Sequence, residues 1–303
     1  MKDTECAICE IKDGFTILYK ENLPANDKIT NSFAPRRVRD YYHYRIVKCD
    51  NCGLVRSNPI FEQKELSEFY SKSTCSYTNE DENIPLNITY GNYLQKLLKE
   101  CKPGLDSYLD IGTSNGFMLE KALELGFKKV AGIEPSTDAV SKSDPKIRDY
   151  ITCGMFTKES FSNDVFDVVT FFQTFDHIAE PNQFLSNVYN ILKPNGYVLA
   201  VNHNFNSLSS KILKDKSPII DIGHTYLYDL DTMKSIFSKN GFENIITFPV
   251  KNIVTISRLI ELSPIATSKK NSIKKILRKL NFSQRMVTLY LGNLGIIAKK
   301  ASQ

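Results

Sequence analysis

The chain has 303 residues, 42% hydrophobic and 24% charged, and its 39 Lys and Arg against 34 Asp and Glu give a formal net charge of +5. This length and composition exclude a disulfide-stapled miniprotein, a fibrous repeat and a disordered chain, and they allow one large domain or two modest ones. No apolar run reaches the roughly 18 residues of a membrane-spanning helix. The N-terminus carries acids and cysteines where a signal peptide needs a basic start and an apolar run, which predicts a cytoplasmic protein with reduced thiols.

The cysteines near the N-terminus form two C-x-x-C pairs, Cys6 with Cys9 and Cys49 with Cys52. Such a pair holds two thiolates at the spacing that Zn(II) needs, so two pairs predict a closed four-sulfur site with structural zinc. Strand-like stretches at 15–19 and 41–48 suit a small zinc ribbon, and we assign residues 1–75 to this N-terminal module. Simple buried cysteines or a redox pair remain the alternatives.

From about residue 105, short apolar runs alternate with amphipathic stretches, a pattern typical of parallel strands joined by crossover helices. The predicted strands are 107–111, 129–133, 166–172, 197–201, 242–250 and 294–298. Predicted helices cover 117–125, the residues from Phe184 to a stop at 194–196, and the residues from Leu230 to a stop at Gly241. The pattern predicts an α/β domain over residues 76–303.

The first predicted strand ends in a glycine-containing turn, and Glu134 follows the second. In an open parallel sheet a ligand lies across the carboxyl ends of the strands, and an acid about 20 residues after the turn takes a ribose. Gly112 and Glu134 are 22 positions apart. This spacing suits NAD as well as S-adenosylmethionine (SAM).

The turn itself separates the two cofactors. A dinucleotide fingerprint G-x-G-x-x-G starting at Gly112 would need glycines where Ser114 and Phe117 stand, so a pyrophosphate cradle is not expected. The sequence DIGTSNG at 110–116 suits an adenosyl ligand without phosphates, with Asp110 meeting the amino group of its methionine part. A glycine turn without a ligand is the remaining alternative.

Four segments resemble the successive motifs of class I SAM-dependent methyltransferases: LDIGTSNG at 109–116, GIEPS at 132–136, FDVVTFFQTFDHIAEP at 166–181 and LKPNGYVLAV at 192–201. Three more are similar to the zinc-binding segment in front of bacterial methyltransferases of deoxysugar and surface-polysaccharide pathways: CAIC at 6–9, YRIVKCDNCGLVRSNP at 44–59 and KELSEFY at 64–70. The resemblance implies a Rossmann-like class I methyltransferase sheet, mostly parallel with an antiparallel last strand, behind a small zinc-ribbon module.

The resemblance also implies a set of cofactor-binding residues: Asp110, Gly112, Ser114, Gly116, Glu134, Met155, Phe156 and Gln173. Asp110 and the glycines would line the methionine moiety, with Ser114 in the middle of the loop, and Glu134 would hold the ribose hydroxyls. The pair at 155–156 would flank the adenine, and Gln173 would lie by the methionine moiety or the sulfonium.

Methyl transfer to a hydroxyl needs a group that takes up the proton, and histidine is the usual one near neutral pH. The chain has four histidines, His43, His177, His203 and His224. The segment DIGHTYLYD around His224 resembles the one that supplies the catalytic histidine in sugar C-methyltransferases, although glycine replaces the Glu of that pattern. We therefore predict His224 as the base, His177 as a second base or a structural cap, and Tyr226 as a residue that orients the acceptor. His203 is a candidate for a substrate loop, and His43 is expected at the surface.

The basic segment at 267–281 places Ile273, Leu277 and Leu280 on one face and lysines around the rest, which predicts an amphipathic helix within a helical insertion at about 257–285. This helix packs on the domain edge, covers the phosphates of a nucleotide-sugar, or makes a peripheral membrane contact.

Together these features predict methyl transfer from SAM to a small-molecule or glycan acceptor, with a sugar hydroxyl in a nucleotide-sugar or surface-glycan pathway implied by the resemblance. The sugar C-methyltransferases carry a further C-terminal domain for which 303 residues leave no room, so O-methylation is favoured. One alternative is an RNA methyltransferase that grips RNA with the zinc module and the basic tail, but the basic residues lack the interleaved aromatic residues of a stacking surface, and a nucleic-acid partner is not expected. A non-catalytic SAM-binding assembly subunit is the other alternative.

Overall fold

The structure, a computed structural model, describes residues 1–24, 30–33, 40–73, 80–263 and 267–302. Its strands are β1 (Phe15–Tyr19), β2 (Ile46–Cys49), β3 (Val55–Ser57), β4 (Ser107–Ile111), β5 (Lys129–Glu134), β6 (Ile151–Cys153), β7 (Phe166–Phe172), β8 (Leu192–His203), β9 (Tyr226–Leu227), β10 (Phe242–Thr255) and β11 (Met286–Lys300). Its α-helices are α1 (Gln63–Ser71), α2 (Glu80–Cys101), α3 (Phe117–Glu124), α4 (Thr137–Ser141), α5 (Pro145–Arg148), α6 (Pro181–Ile191), α7 (Leu208–Leu213), α8 (Leu230–Lys239), α9 (Ile256–Leu262) and α10 (Thr267–Lys279). The predicted boundary between residues 75 and 76 lies outside the described residues.

Seven strands form the main sheet in the order β10-β11-β8-β7-β4-β5-β6. Strands β8, β7, β4, β5 and β6 pair in parallel, whereas β11 lies antiparallel to both β8 and β10. All seven residues of β7 are buried, because a central parallel strand has both faces covered, and all of them except Asp167 and Thr170 are apolar. The prediction of a mostly parallel sheet with an antiparallel last strand is confirmed.

Several element bounds differ from the predicted ones. Helix α6 ends at Ile191 rather than at 194–196, because Leu192 already pairs with Phe166 at the start of β8. Strands β10 and β11 run on as a hairpin as far as the pair Thr255–Met286, whereas β11 pairs with β8 only over 293–299. The outer part of β11 (286–292) is exposed or half-buried and that of β10 (251–255) is mixed in burial, so both lack the continuous apolar run by which the inner strand segments were predicted.

A second, four-stranded antiparallel sheet has the order β1-β2-β3-β9. Its fourth strand, β9, is distant in sequence from the other three and pairs with β3, Val55 with Leu227 and Arg56 with Tyr226. The segment just before β9 is also held there, because the Ser57 hydroxyl donates to the His224 carbonyl oxygen at 2.7 Å. The N-terminal residues therefore fix the backbone that carries a predicted catalytic histidine.

Among the described helices, none is long and apolar enough to cross a membrane. The predicted basic helix is present as α10, which packs against α9.

Candidate active site and metal centre

The glycines of the loop after β4 are required by its geometry. Gly112 has φ +74°, and a Cβ there would lie 2.4 Å from Thr174 Oγ1. Gly116 precedes α3 with φ +82°, and a Cβ there would lie 2.4 Å from Ile147 Cδ1. Residues with a side chain rarely adopt such φ values, so both positions favour glycine.

Glu134 ties this loop to the end of β5. One carboxylate oxygen accepts the backbone N–H of Ser114 at 2.9 Å and the other accepts that of Ser136 at 2.9 Å. Burial raises the pKa of Glu134, and the two N–H donors oppose that rise. Because a carboxylate offers about four lone-pair sites, two remain for the ribose hydroxyls that the sequence assigned to Glu134. Ser114 therefore contacts this site through its backbone.

Buried acceptor atoms belong to the predicted methionine-binding residues Asp110 and Gln173 and to Asn115, which was not selected from the sequence. Asp110 accepts the Thr170 hydroxyl at 2.6 Å, and burial raises the pKa of Asp110 to about 7. Asn115 Oδ1 and Gln173 Oε1 are buried, and no hydrogen-bond donor from the described ranges reaches either of them. The ammonium group of the methionine part of SAM can donate hydrogen bonds to these acceptors, so the three side chains fit SAM.

A cavity of about 400 Å³ lies between α1, the loop after β6 and the start of α6. Its lining includes Met155 and Phe156, the predicted adenine neighbours, together with Tyr70 and His177. Phe156 packs edge-on against Phe184, with ring centroids 5.5 Å apart. The volume of the cavity falls within the usual range for small-molecule sites. The predicted adenine residues and one predicted catalytic histidine therefore line the same cavity.

Three of the four histidines surround one buried carboxylate, that of Asp176, in the 3-10 turn Phe175–His177 after β7. His203 Nδ1 lies 2.7 Å from Asp176 Oδ2, His224 Nε2 lies 3.8 Å from the same oxygen, and His177 Nε2 lies 3.8 Å from Oδ1. Burial opposes ionisation of Asp176, but His224 and the other two imidazoles hold the pKa of Asp176 below its usual range. Burial lowers the pKa of His224 to about 4, so this imidazole is neutral at pH 7.

The predicted catalytic residues occupy different environments. His224 is buried, and its Nδ1 lies 2.8 Å from the Ile219 carbonyl oxygen. The His177 side chain is 30% exposed and lines the cavity. Tyr226 is buried and donates its hydroxyl to the Glu5 carbonyl oxygen at 2.8 Å, so the structure brings it neither to the cavity nor to the histidine cluster.

Besides Asn115, two residues of this site were not selected from the sequence, and one histidine was expected elsewhere. Asp176 stands beside His177 in the motif at 166–181, but no local pattern marks which acid will be buried among histidines. Tyr70 reaches His177 only through the packing of α1, with its hydroxyl 3.1 Å from Nδ1. His43, expected at the surface, is buried with its Nδ1 2.8 Å from the Tyr44 carbonyl oxygen.

The four N-terminal cysteines come together as predicted. Their Sγ atoms all lie within 4.8 Å of one another, with Cys6 and Cys52 3.4 Å apart and Cys9 and Cys49 4.0 Å apart. Burial opposes ionisation of Cys49, but the backbone N–H groups of Cys52 and Asn51 lower the pKa of Cys49 to about 7. A Zn–S bond of about 2.3 Å in tetrahedral geometry needs sulfur atoms about 3.8 Å apart, so the donor set fits Zn(II).

Comparison with known proteins supports the fold. The sequence profile described as "Methyltransferase domain" matches residues 87–246. An uncharacterised methyltransferase of Schizosaccharomyces pombe is 26% identical over 148 residues, which cover 43% of this chain and 50% of that protein. The chain thus spans about half the length of the curated relative that it matches.

Two solved structures are also similar. One is a chain of the complex between the Haloferax volcanii Trm112 methyltransferase activator and a methyltransferase, with 15% identity, a TM-score of 0.50, and coverage of 75% of this chain and 96% of that one. The other is a SAM-dependent methyltransferase from Archaeoglobus fulgidus, with 22% identity, a TM-score of 0.49, and coverage of 71% and 94%.

The profile match covers more than half of the chain and includes the cofactor loop, the end of β5 and the strands β7 and β8. The predicted class of enzyme, a SAM-dependent methyltransferase, is confirmed for this domain. The chain belongs to the methyltransferase domain family.

Proposed function

We propose that this protein transfers the methyl group of SAM to a hydroxyl of a small acceptor, a sugar in a nucleotide-sugar or surface-glycan pathway. The observation that carries the proposal is the cluster of imidazoles around Asp176, next to the cofactor loop. Transfer to a hydroxyl needs a group that takes up a proton, and an imidazole held by a buried carboxylate is suited to that task. The choice of a sugar is supported by the resemblance of the N-terminal segment to those of deoxysugar methyltransferases.

The chain's own residues would hold the cofactor and exclude water. SAM, when bound, supplies a methyl group activated by the sulfonium. Asp110, Asn115 and Gln173 would accept hydrogen bonds from the methionine part, and Glu134 would hold the ribose. With donor and acceptor held in line, positioning contributes most of the acceleration.

We assign the role of proton acceptor to His203, although the sequence analysis favoured His224 and His177 for it. Its Nδ1 donates to Asp176 Oδ2 at 2.7 Å, so its Nε2 is free to accept a proton. The His203 side chain is 27% exposed at the carboxyl end of β8, the edge of a parallel sheet where ligands bind. The Nε2 of His224 faces Asp176 inside the protein instead, and His177 remains the second candidate because it lines the cavity.

The function is tested by adding SAM labelled in its methyl group to purified protein and source-cell extract, followed by separation of nucleotide-sugar, glycan and RNA fractions. Label in the nucleotide-sugar or glycan fraction supports the proposal. Label in RNA favours the RNA methyltransferase, and no label despite tight SAM binding favours the non-catalytic subunit.

The base is tested with alanine variants of the three clustered histidines. His203→Ala is expected to lower turnover about a hundredfold or more without a change in SAM affinity. The matched control is His43→Ala, which removes the one histidine outside the cluster. If His203→Ala keeps full turnover and His224→Ala loses it, the base is His224 and the assignment to His203 is wrong.

Two further proposals concern binding. The cysteine cluster holds a structural Zn(II), supported by its sulfur spacing, and thiolate ligation suits the reducing cytoplasm in which we place the protein.

The segment 267–281 makes a peripheral contact with an anionic membrane. In support, Ile276 and Leu280 are 58% and 59% exposed, and they lie one helical turn apart beside Lys275 and Lys279.

A further inference from the structure

We propose that Asp176, His177 and His224 form a second metal site, which binds one divalent transition-metal ion. Each residue offers one ligand atom, and these atoms all lie within 4.8 Å of one another. His177 Nε2 lies 3.8 Å from Asp176 Oδ1, and His224 Nε2 lies 3.8 Å from Asp176 Oδ2. Metal bonds of about 2.0–2.2 Å place neighbouring ligand atoms roughly 3–3.5 Å apart, so the three side chains close on an ion by a contraction of about 1 Å.

The tautomers of both imidazoles are set by backbone carbonyl groups. His177 Nδ1 lies 2.9 Å from the Gly223 oxygen, and His224 Nδ1 lies 2.8 Å from the Ile219 oxygen. A carbonyl oxygen only accepts, so the ring proton sits on Nδ1 in each case and the lone pair on Nε2 points towards Asp176. Metal-binding histidines are held in this way, with the other ring nitrogen donating to a carbonyl or carboxylate.

Asp176 supplies the third acceptor. Its side chain is 1% exposed, its Oδ2 accepts from His203 Nδ1, and no donor in the described part of the chain reaches its Oδ1 within hydrogen-bond distance. A buried acceptor without a partner costs free energy. A water molecule has two protons to offer to three converging acceptors, whereas a metal ion takes a lone pair from each of them.

The supporting contacts of a metal site are also present. The backbone of Asp176 accepts the Thr225 N–H at 2.8 Å, and the His224 carbonyl accepts the Ser57 hydroxyl at 2.7 Å, so both ligands are carried by fixed backbone. His177 lines the cavity, and the open coordination positions would face it. Two imidazoles and one carboxylate favour Zn(II), Fe(II), Mn(II) or Co(II) over Ca(II) or Mg(II).

The site is tested with Co(II), whose visible absorption differs between sulfur and nitrogen ligands. Full-length protein is loaded with zinc at the cysteine cluster and freed of weakly bound ions, and Co(II) binding is followed by equilibrium dialysis and absorption. We expect one equivalent of Co(II) per chain, with weak nitrogen- and oxygen-type bands and without thiolate charge-transfer absorption. The readout does not depend on methyl transfer, so failure of the metal site and failure of the proposed function are separable.

Four variants test the ligand set. His177→Ala and His224→Ala are expected to lose this equivalent, and His43→Ala is expected to keep it. His203→Gln keeps a donor near Asp176, and it should retain the equivalent with affinity lowered about 10–100-fold, as for groups that support a ligand. His177 is partly exposed, so His177→Ala carries the test if His224→Ala does not fold. Absence of the equivalent in the unchanged protein, absorption of the thiolate type alone, or undiminished binding by His177→Ala would overturn the proposal.

Discussion

Replacement of Asp110 by Asn removes a carboxyl group that burial makes hard to ionise. The pKa of Asp110 is raised to about 7 from an ordinary 3.8. Between these values the folded state binds a proton that the unfolded state has released, so the free energy of unfolding falls as pH rises through this window. Above pH 7 the full cost is present, and it is about 4 kcal/mol for a gap of this size.

Asp110→Asn keeps the shape and the oxygen that accepts the Thr170 hydroxyl. We therefore expect the free energy of unfolding of the SAM-free variant to exceed that of the original protein by about 1.6 kcal/mol at pH 5 and by about 4 kcal/mol at pH 8. The same variant should bind SAM more weakly at pH 8, because it lacks the charge that pairs with the ammonium group of the methionine part.

The assay is urea unfolding of zinc-loaded protein at both pH values, with and without SAM. Glu134 also has a raised pKa and is present in both proteins, so the difference between them reports Asp110 together with its repulsion by Glu134. SAM should stabilise the original protein at pH 8 and stabilise the variant much less. An equal effect of the substitution at pH 5 and pH 8 would refute the assignment of a buried, ionising Asp110.

Three more outcomes are expected. Gly112→Ala should lower the free energy of unfolding by about 1–2 kcal/mol or more, because its φ is +74° and the new Cβ meets Thr174. The control is Gly91→Ala within α2, where the Cβ meets the flexible Lys121 side chain, and it should leave the free energy of unfolding unchanged or raise it by up to about 1 kcal/mol. Chemical denaturation measures both variants. Metal analysis should find at least one zinc per chain, with one equivalent lost in Cys49→Ser and none lost in Cys101→Ser, and chelation should lower the midpoint of thermal unfolding. Four freely titrating thiols at the cysteine cluster without metal would contradict this. Flotation with anionic vesicles should carry the protein upward at low salt and fail when Ile276 and Leu280 are both changed to Ser, whereas Ile17→Ser, at an equally exposed position on β1, should still float.

The main sheet could be predicted because its central strands are read from short local patterns. Strands β4 and β7 begin and end at the predicted residues, since both are buried throughout and therefore appear as short, mostly apolar runs. The loop after β4 could be predicted in the same way, because Gly112 directly follows β4 and Glu134 ends β5, and these neighbouring parallel strands end side by side. The outer hairpin of β10 and β11 was underestimated because exposed strand residues leave no such run.

The sequence by itself determined the α/β sheet, the glycine loop with its acid, and the two cysteine pairs, since each depends on residue types at short spacing. Tertiary structure alone decided the histidine site. Asp176 meets His203 from the neighbouring strand, and His224 is fixed by Ser57, a residue 167 positions away. Tyr226 was likewise drawn into the N-terminal sheet by its pairing with Arg56. Such contacts depend on which strands lie side by side in a sheet, and the periodicity of a local segment does not determine the order of strands.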